Sequence, residues 1–113
     1  MMKILTVNEE ILLLAIWRLK DNAYGVSIRE KVAELSGKDI IYGTLYNSLD
    51  NLVKKGYVTI KRGEPTAERG GRSKIYYSLT TEAKIALKNS RELHSLLWDG
   101  IPETAFGMEI SEK

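Results

Sequence analysis

Hydrophobic residues change their spacing within residues 40–80, and this change predicts a helix followed by a two-stranded hairpin. In residues 41–55 they recur every three to four positions, which gives a helix one apolar face. These positions are Leu45, Leu49, Leu52 and Val53. Beyond Gly56 lie two β-prone segments, residues 57–62 and 74–79, and the second alternates apolar and polar positions. A long glycine-rich turn joins the two predicted strands.

The opposite face of this helix carries short hydrogen-bonding side chains, where a solvated helix more often has Glu and Lys. They are Thr44, Asn47, Ser48 and Asn51. Small polar groups can approach base edges in a DNA groove, so this face is suited to reading a nucleic acid sequence. The alternative is an ordinary polar helix face. Asp50 would be repelled by phosphates, which places the expected contacts in the first two turns.

A first helix is predicted from Asn8, as its N-cap, to about Lys20, with acidic residues in its first turn. Nearly every residue between Ile11 and Leu19 is apolar. One layer of neighbours in so small a domain cannot cover such a helix on all sides. We therefore expect a second subunit to cover part of it.

Two more helices complete the predicted fold. The sequence SIRE, beginning at Ser27, matches a capping box and predicts a second helix to Ser36, ended by Gly37 in a left-handed cap. Residues 40–41 are expected to pack into the core or to form a brief strand. A last helix begins at Thr80 or Thr81 and runs to about residue 98. These elements predict a mainly α chain with one small β-hairpin (α+β), in which residues 81–98 are the dimerisation helix and residues 99–113 a flexible tail.

Composition narrows the function classes. The 113 residues, 43% hydrophobic and 28% charged, fit one compact domain. The chain has no Cys and one His, so disulfides and thiolate metal sites are excluded and a histidine metal site is not expected. We expect no cofactor and no enzyme activity, because no nucleophile–base pair, phosphate loop or spaced carboxylate pair is recognisable. The longest apolar run is much shorter than the ~20 residues of a membrane span, and a cationic leader is lacking, so a cytoplasmic protein is expected.

The net charge of +2 is unevenly distributed. Residues 54–74 hold seven basic and two acidic side chains, a local net charge of +5. Arg69, Arg72 and Lys74 in and beside the turn are expected to neutralise phosphates, and the neighbouring glycines would let the backbone approach another surface. If the turn is only a solvated loop, removing these charges would change little.

From about Glu10 to Leu97 the sequence resembles the PadR-like transcriptional regulators, in the shorter subgroup with a single helix after the hairpin. The matching segments are Ala23-Tyr24-Gly25; Tyr42-Gly43-Thr44-Leu45-Tyr46 with Leu49, Leu52 and Gly56; and Gly70-Gly71-Arg72-Ser73-Lys74 with Tyr76-Tyr77-Ser78-Leu79-Thr80. One departure is Tyr42, where many members have proline. It leaves open how the third helix begins.

The resemblance implies a winged helix-turn-helix that dimerises through its last and first helices and binds a two-fold symmetric operator, usually as a repressor. The third helix would enter the major groove of double-stranded DNA, and the hairpin, called the wing, would touch phosphates or the neighbouring minor groove. Members are often released from DNA by a small aromatic molecule bound in the dimer region.

The candidate residues form two sets. The predicted DNA-binding residues are Tyr42, Thr44, Tyr46, Asn47, Arg69, Arg72 and Lys74. The predicted residues of a dimer interface or effector pocket are Leu13, Trp17, Leu93, Leu97 and Trp98. Trp17 and Trp98 would either pack between subunits or stack on a flat effector, and His94 is expected at the interface or the surface. The alternative function is a winged-helix module that binds a protein partner with the same helix and hairpin and does not bind DNA.

Overall fold

A computed structural model of the chain describes residues 4–63 and 74–104, which form four α-helices, one 3-10 turn and one antiparallel sheet. The elements are α1 (Val7–Leu19), a 3-10 turn (Lys20–Asn22), α2 (Gly25–Ser36), α3 (Tyr42–Lys54), β1 (Val58–Arg62), β2 (Ile75–Leu79) and α4 (Thr81–Trp98). The predicted fold class, a winged helix-turn-helix, is confirmed.

Two predicted helix starts are wrong. The N-cap of α1 is Thr6 rather than Asn8, because the Thr6 hydroxyl accepts the Glu9 amide (3.1 Å) and the Glu9 carboxylate accepts the Thr6 amide (2.8 Å). Helix α2 begins two residues before Ser27. The Tyr24 amide donates to the Ser27 hydroxyl (3.0 Å). Tyr24 is thus the N-cap residue, and Ser27, which was expected to be the N-cap, is the third residue of the helix.

The sheet pairs β1 with β2 in antiparallel register, with Val58 opposite Leu79 and Arg62 opposite Ile75. Strand β2 also pairs with the chain just before α2, where the Tyr77 amide donates to the Ala23 carbonyl (2.8 Å). This second pairing was not predicted, since Ala23 and one neighbour are too short a segment to show an alternating pattern. It fixes the hairpin to the start of α2.

The core lies between α1, α2, α3 and the sheet. Its largest fully buried side chains are Leu13, Ile16, Ile28, Val32, Leu45, Leu49, Leu52 and Val58. Gly37 ends α2 in the left-handed conformation, as predicted (φ 74°). Ile40 packs partly against the core, whereas Ile41 is 68% exposed and is the N-cap of α3; the two do not form a strand.

Candidate nucleic-acid interface

The polar face of α3 lies opposite its buried leucines, as the spacing predicted. Thr44, Asn47 and Asn51 are exposed. Ser48 is half-buried, and together with Thr44 it lines a small cleft shared with Asn8 and Ile11 of α1. Of the four predicted polar positions, Thr44, Asn47 and Asn51 are thus the exposed ones.

Two tyrosines form the side of α3 that faces α2. The rings of Tyr42 and Tyr46 stack, with centroids 6.1 Å apart and an interplanar angle of 23°. Each tyrosine is 41% exposed. The Tyr46 hydroxyl lies against Gly25, where a Cβ would be only 2.0 Å from that oxygen. Gly25 therefore has no room for a side chain while Tyr46 keeps this position.

Arg29 of α2 joins this aromatic pair to the turn before α3. Its guanidinium lies over the Tyr42 ring, 4.8 Å from the centroid. The same group donates to the carbonyl of Ile40 and to the carboxylate of Asp39 (2.9 Å). We call the column of Arg29, Tyr42, Tyr46 and Gly25 the tyrosine column.

The loop end of the β1–β2 hairpin adds a second group of aromatic and cationic contacts. The Lys74 ammonium lies over the Tyr24 ring, 4.0 Å from its centroid, and this ring meets Tyr76 edge-on at 5.8 Å. Lys74 thus lies beside Tyr24, the N-cap residue of α2, which directly precedes Gly25 of the column. Arg69 and Arg72 lie outside the described residues.

Two pKa shifts describe the electrostatics around α3. Burial, with smaller effects from Tyr46 and Asp50, raises the pKa of Tyr77 above 10.0, so this phenol stays neutral near pH 7. Burial of Glu9 acts to raise its pKa, but hydrogen bonds from Lys55 and the Thr6 amide outweigh that effect and lower the pKa below 4.5. The Lys55 charge at the end of α3 is thus held by Glu9 and is less available to a phosphate.

A separate cleft of about 580 Å³ lies between α1 and α4. Its walls include both tryptophans, Trp17 and Trp98. Lys84 lies 5.6 Å from the centroid of the Trp17 ring. Across the cleft mouth, His94 Nε2 is 3.0 and 3.2 Å from the two Glu10 carboxylate oxygens, so it donates to that carboxylate.

One predicted residue of this second site, Leu13, does not line the cleft: it is 0% exposed and belongs to the core of its own chain. The neighbouring Leu14 is exposed and lines the cleft. The continuous apolar run of α1 hid which residues point outwards, because periodicity is lost when nearly every position is apolar. Leu93 is half-buried and Leu97 is 62% exposed.

Within residues 4–63 and 74–104, no group of His, Asp or Glu side chains is arranged to hold a metal ion. The helices of this part of the chain are too short or too polar to cross a membrane.

The comparisons with known proteins agree with the geometry. A PadR family transcription regulator from Clostridium difficile R20291 shares 27% identity, with a TM-score of 0.60, over 89% of this chain and 96% of its own. A chain in the complex structure of hsRosR-S4 shares 24% identity (TM-score 0.64), over 94% of this chain and 84% of that one. F93 from STIV, a winged-helix DNA-binding protein, shares 20% identity (TM-score 0.57), over 89% and 98%. The last two likenesses concern the fold alone.

No significant match was found among curated proteins. The sequence model of the Transcriptional regulator PadR-like family matches residues 13–89, which is more than half of the sequence. The chain therefore belongs to the PadR-like family of transcriptional regulators.

Proposed function

We propose that this protein is a homodimeric repressor that binds an inverted-repeat operator in double-stranded DNA. The observation that supports this most is the exposed start of α3, where Thr44 and Asn47 lie beside the two tyrosines of the column. Short neutral side chains on a protruding helix fit the donors and acceptors of the major groove. Asp50, whose carboxylate would be repelled by phosphates, lies one turn further along α3, so the contacts are confined to the first two turns.

Two groups of residues make the contacts with DNA, one with the bases and the other with the phosphates. Thr44 and Asn47 read base edges. Tyr42 and Tyr46, through their hydroxyls, and Lys74, with Arg69 and Arg72 of the wing, contact phosphates, which add affinity for any sequence. Lys74 suits this role because its position over Tyr24 fixes the ammonium at the loop end of the hairpin.

The dimer forms through α4 and α1. The last turn of α4 exposes three consecutive large apolar side chains, with Leu97 62% and Trp98 54% exposed. Leu14 and Trp17 of α1 are exposed and line the same cleft as Trp98. A contiguous apolar surface of this kind marks an interaction site, and a two-fold axis through it would place two α3 helices about one DNA turn apart, ~34 Å.

A flat aromatic effector would occupy the cleft between α1 and α4. Trp17 and Trp98 offer rings on which such a molecule can stack, and Lys88 and Arg91 line the same cleft. Since α4 also forms the dimer, an effector that shifts α4 against α1 would change the spacing of the two α3 helices. Binding of the effector and of DNA would then be reciprocally coupled.

The test is a titration of the purified protein into duplex fragments from beside its own gene, at several salt concentrations. Asn47→Ala should reduce the preference for the operator over a scrambled duplex by roughly tenfold, with an unchanged salt slope. Lys74→Ala should weaken both duplexes alike and reduce the slope by about one.

Glu34→Ala is the control, because Glu34 is exposed near the C-terminal end of α2; this variant should bind both duplexes as the wild type does. Absence of salt-dependent binding to any fragment would exclude the proposal, and co-purification of a stoichiometric protein partner would then favour a protein-binding module.

A further inference from the structure

The start of α3 lacks the usual means of fixing a helix terminus. Its N-cap residue is Ile41, whose side chain cannot accept a hydrogen bond from the first turn, and no side chain caps the helix. Its first residue is Tyr42, which does not restrict its own backbone as proline would. This is nevertheless the turn from which α3 presents Thr44 and Asn47.

Arg29 supplies the missing constraint. It reaches from α2 across the turn, where Nε donates to the Ile40 carbonyl and a terminal nitrogen donates to Asp39. The face of the guanidinium rests on Tyr42. One planar side chain, itself half-buried, thus contacts three residues before and at the helix start: Asp39, Ile40 and Tyr42.

We propose that Arg29 is a positioning residue for DNA reading: it fixes the first turn of α3 through Ile40 and Tyr42, and thereby sets the sequence selectivity. This inference rests on the proposed function, because it concerns how the same surface reads DNA. Arg29 acts here through its contacts inside the chain, which use Nε–H, one of its four terminal N–H donors and one face of the guanidinium.

Replacing Arg29 with lysine separates the effect of its positive charge from its effect on the position of α3. Arg29→Lys keeps the positive charge but cannot make two directed bonds and a planar stack at once. We expect the ratio of operator to scrambled-duplex affinity to fall by about tenfold, with the salt slope unchanged. Arg18→Lys, the same change at an exposed arginine at the end of α1, is the matched control and should leave both quantities unchanged.

A second readout needs no DNA. The Leu45 amide donates to the Ile41 carbonyl (3.0 Å) and closes the first turn of α3, so its hydrogen exchange reports opening of that turn. We expect its exchange to be about three- to tenfold faster in Arg29→Lys, while the exchange of core amides in α1 stays the same. If the wild type does not bind DNA but the Leu45 amide still exchanges faster in Arg29→Lys, the repressor function is refuted. The inference that Arg29 positions the first turn of α3 is then still supported.

The decisive arm uses Tyr42→Pro, because proline at the first helical position sets the backbone without help from Arg29, and the extended Ile41 (ψ 152°) accepts a following proline. In that background Arg29→Lys should have little further effect on selectivity or on Leu45 exchange. An equal loss in both backgrounds would overturn the proposal. So would an Arg29→Lys protein that keeps its selectivity while Arg29→Ala lowers the salt slope by about one, the result expected of a phosphate contact.

Discussion

Gly25→Ala should separate DNA binding from folding. Gly25 is the first residue of α2 and is buried under the Tyr46 ring. An added Cβ would be 2.0 Å from the Tyr46 hydroxyl, whereas ordinary contacts begin at 3.4 Å, so the hydroxyl must retreat by about 1.4 Å. The ring carbon that bears it, at 2.8 Å, must move as well. Its stacked partner Tyr42 would lose part of its support.

The effect on stability should be small because two contributions oppose each other. Alanine is favoured over glycine in a helix by roughly 0.5–1 kcal/mol, and the atoms displaced belong to the end of a side chain that is 41% exposed. We therefore expect the free energy of unfolding to change by less than about 1 kcal/mol. Loss of one hydrogen bond from the Tyr46 hydroxyl to a phosphate costs about 1.5 kcal/mol, or roughly tenfold in Kd for each half-site.

The assay is fluorescence anisotropy with a labelled operator duplex at fixed salt, together with thermal unfolding of the free protein. Gly43→Ala, for which the added Cβ meets nothing within 4 Å, is the stability control. In a Tyr46→Ala background the Gly25 substitution should no longer affect Kd, since the clash is gone. The reasoning would be refuted if Gly25→Ala bound the operator as tightly as the wild type.

Three further predictions concern other parts of the chain. Because the pKa of Glu9 is lowered, its carboxylate stabilises the fold above about pH 4.5, and this stabilisation is lost as the pH falls through the lowered pKa. In urea unfolding, Glu9→Gln should therefore lower the free energy of unfolding by ~0.5 kcal/mol at pH 7 and leave it unchanged near pH 2. The same difference in free energy at both pH values would contradict this. Leu97→Glu should give monomers in sedimentation and weaken operator binding at least tenfold, whereas Leu35→Glu, at another exposed leucine, should give dimers. Gly37→Ala should cost about 1 kcal/mol in urea unfolding, because φ is 74° there; an unchanged midpoint would contradict that.

The fold was largely predictable from spacing. The leucines of α3 and the alternation in β2 each indicated one apolar face, and both elements form within about a residue of the predicted bounds. Helix starts were less predictable, because several residues can cap. Asn8 and Thr6 are both suitable N-caps, but Thr6 followed three residues later by Glu9 matches a capping box, so the sequence itself favours Thr6.

The site was predictable only in part. Residue types indicated a polar reading face on α3, but the tyrosine column depends on contacts between residues far apart in sequence. Arg29 reaches Ile40 eleven residues on, and the contact of Gly25 with Tyr46 joins two helices. A local pattern shows neither contact. One signal was present: Tyr42 at a helix start without a capping side chain required some other support.

The most direct measurement is selection of bound sites from a pool of random duplex DNA, followed by sequencing. A homodimer that reads DNA with two α3 helices predicts an enriched inverted repeat whose half-site centres are about 10 base pairs apart. Selection with Asn47→Ala should change the preferred bases within each half-site but keep that spacing. A pool without enrichment, or a single enriched half-site without its inverted copy, would contradict the account.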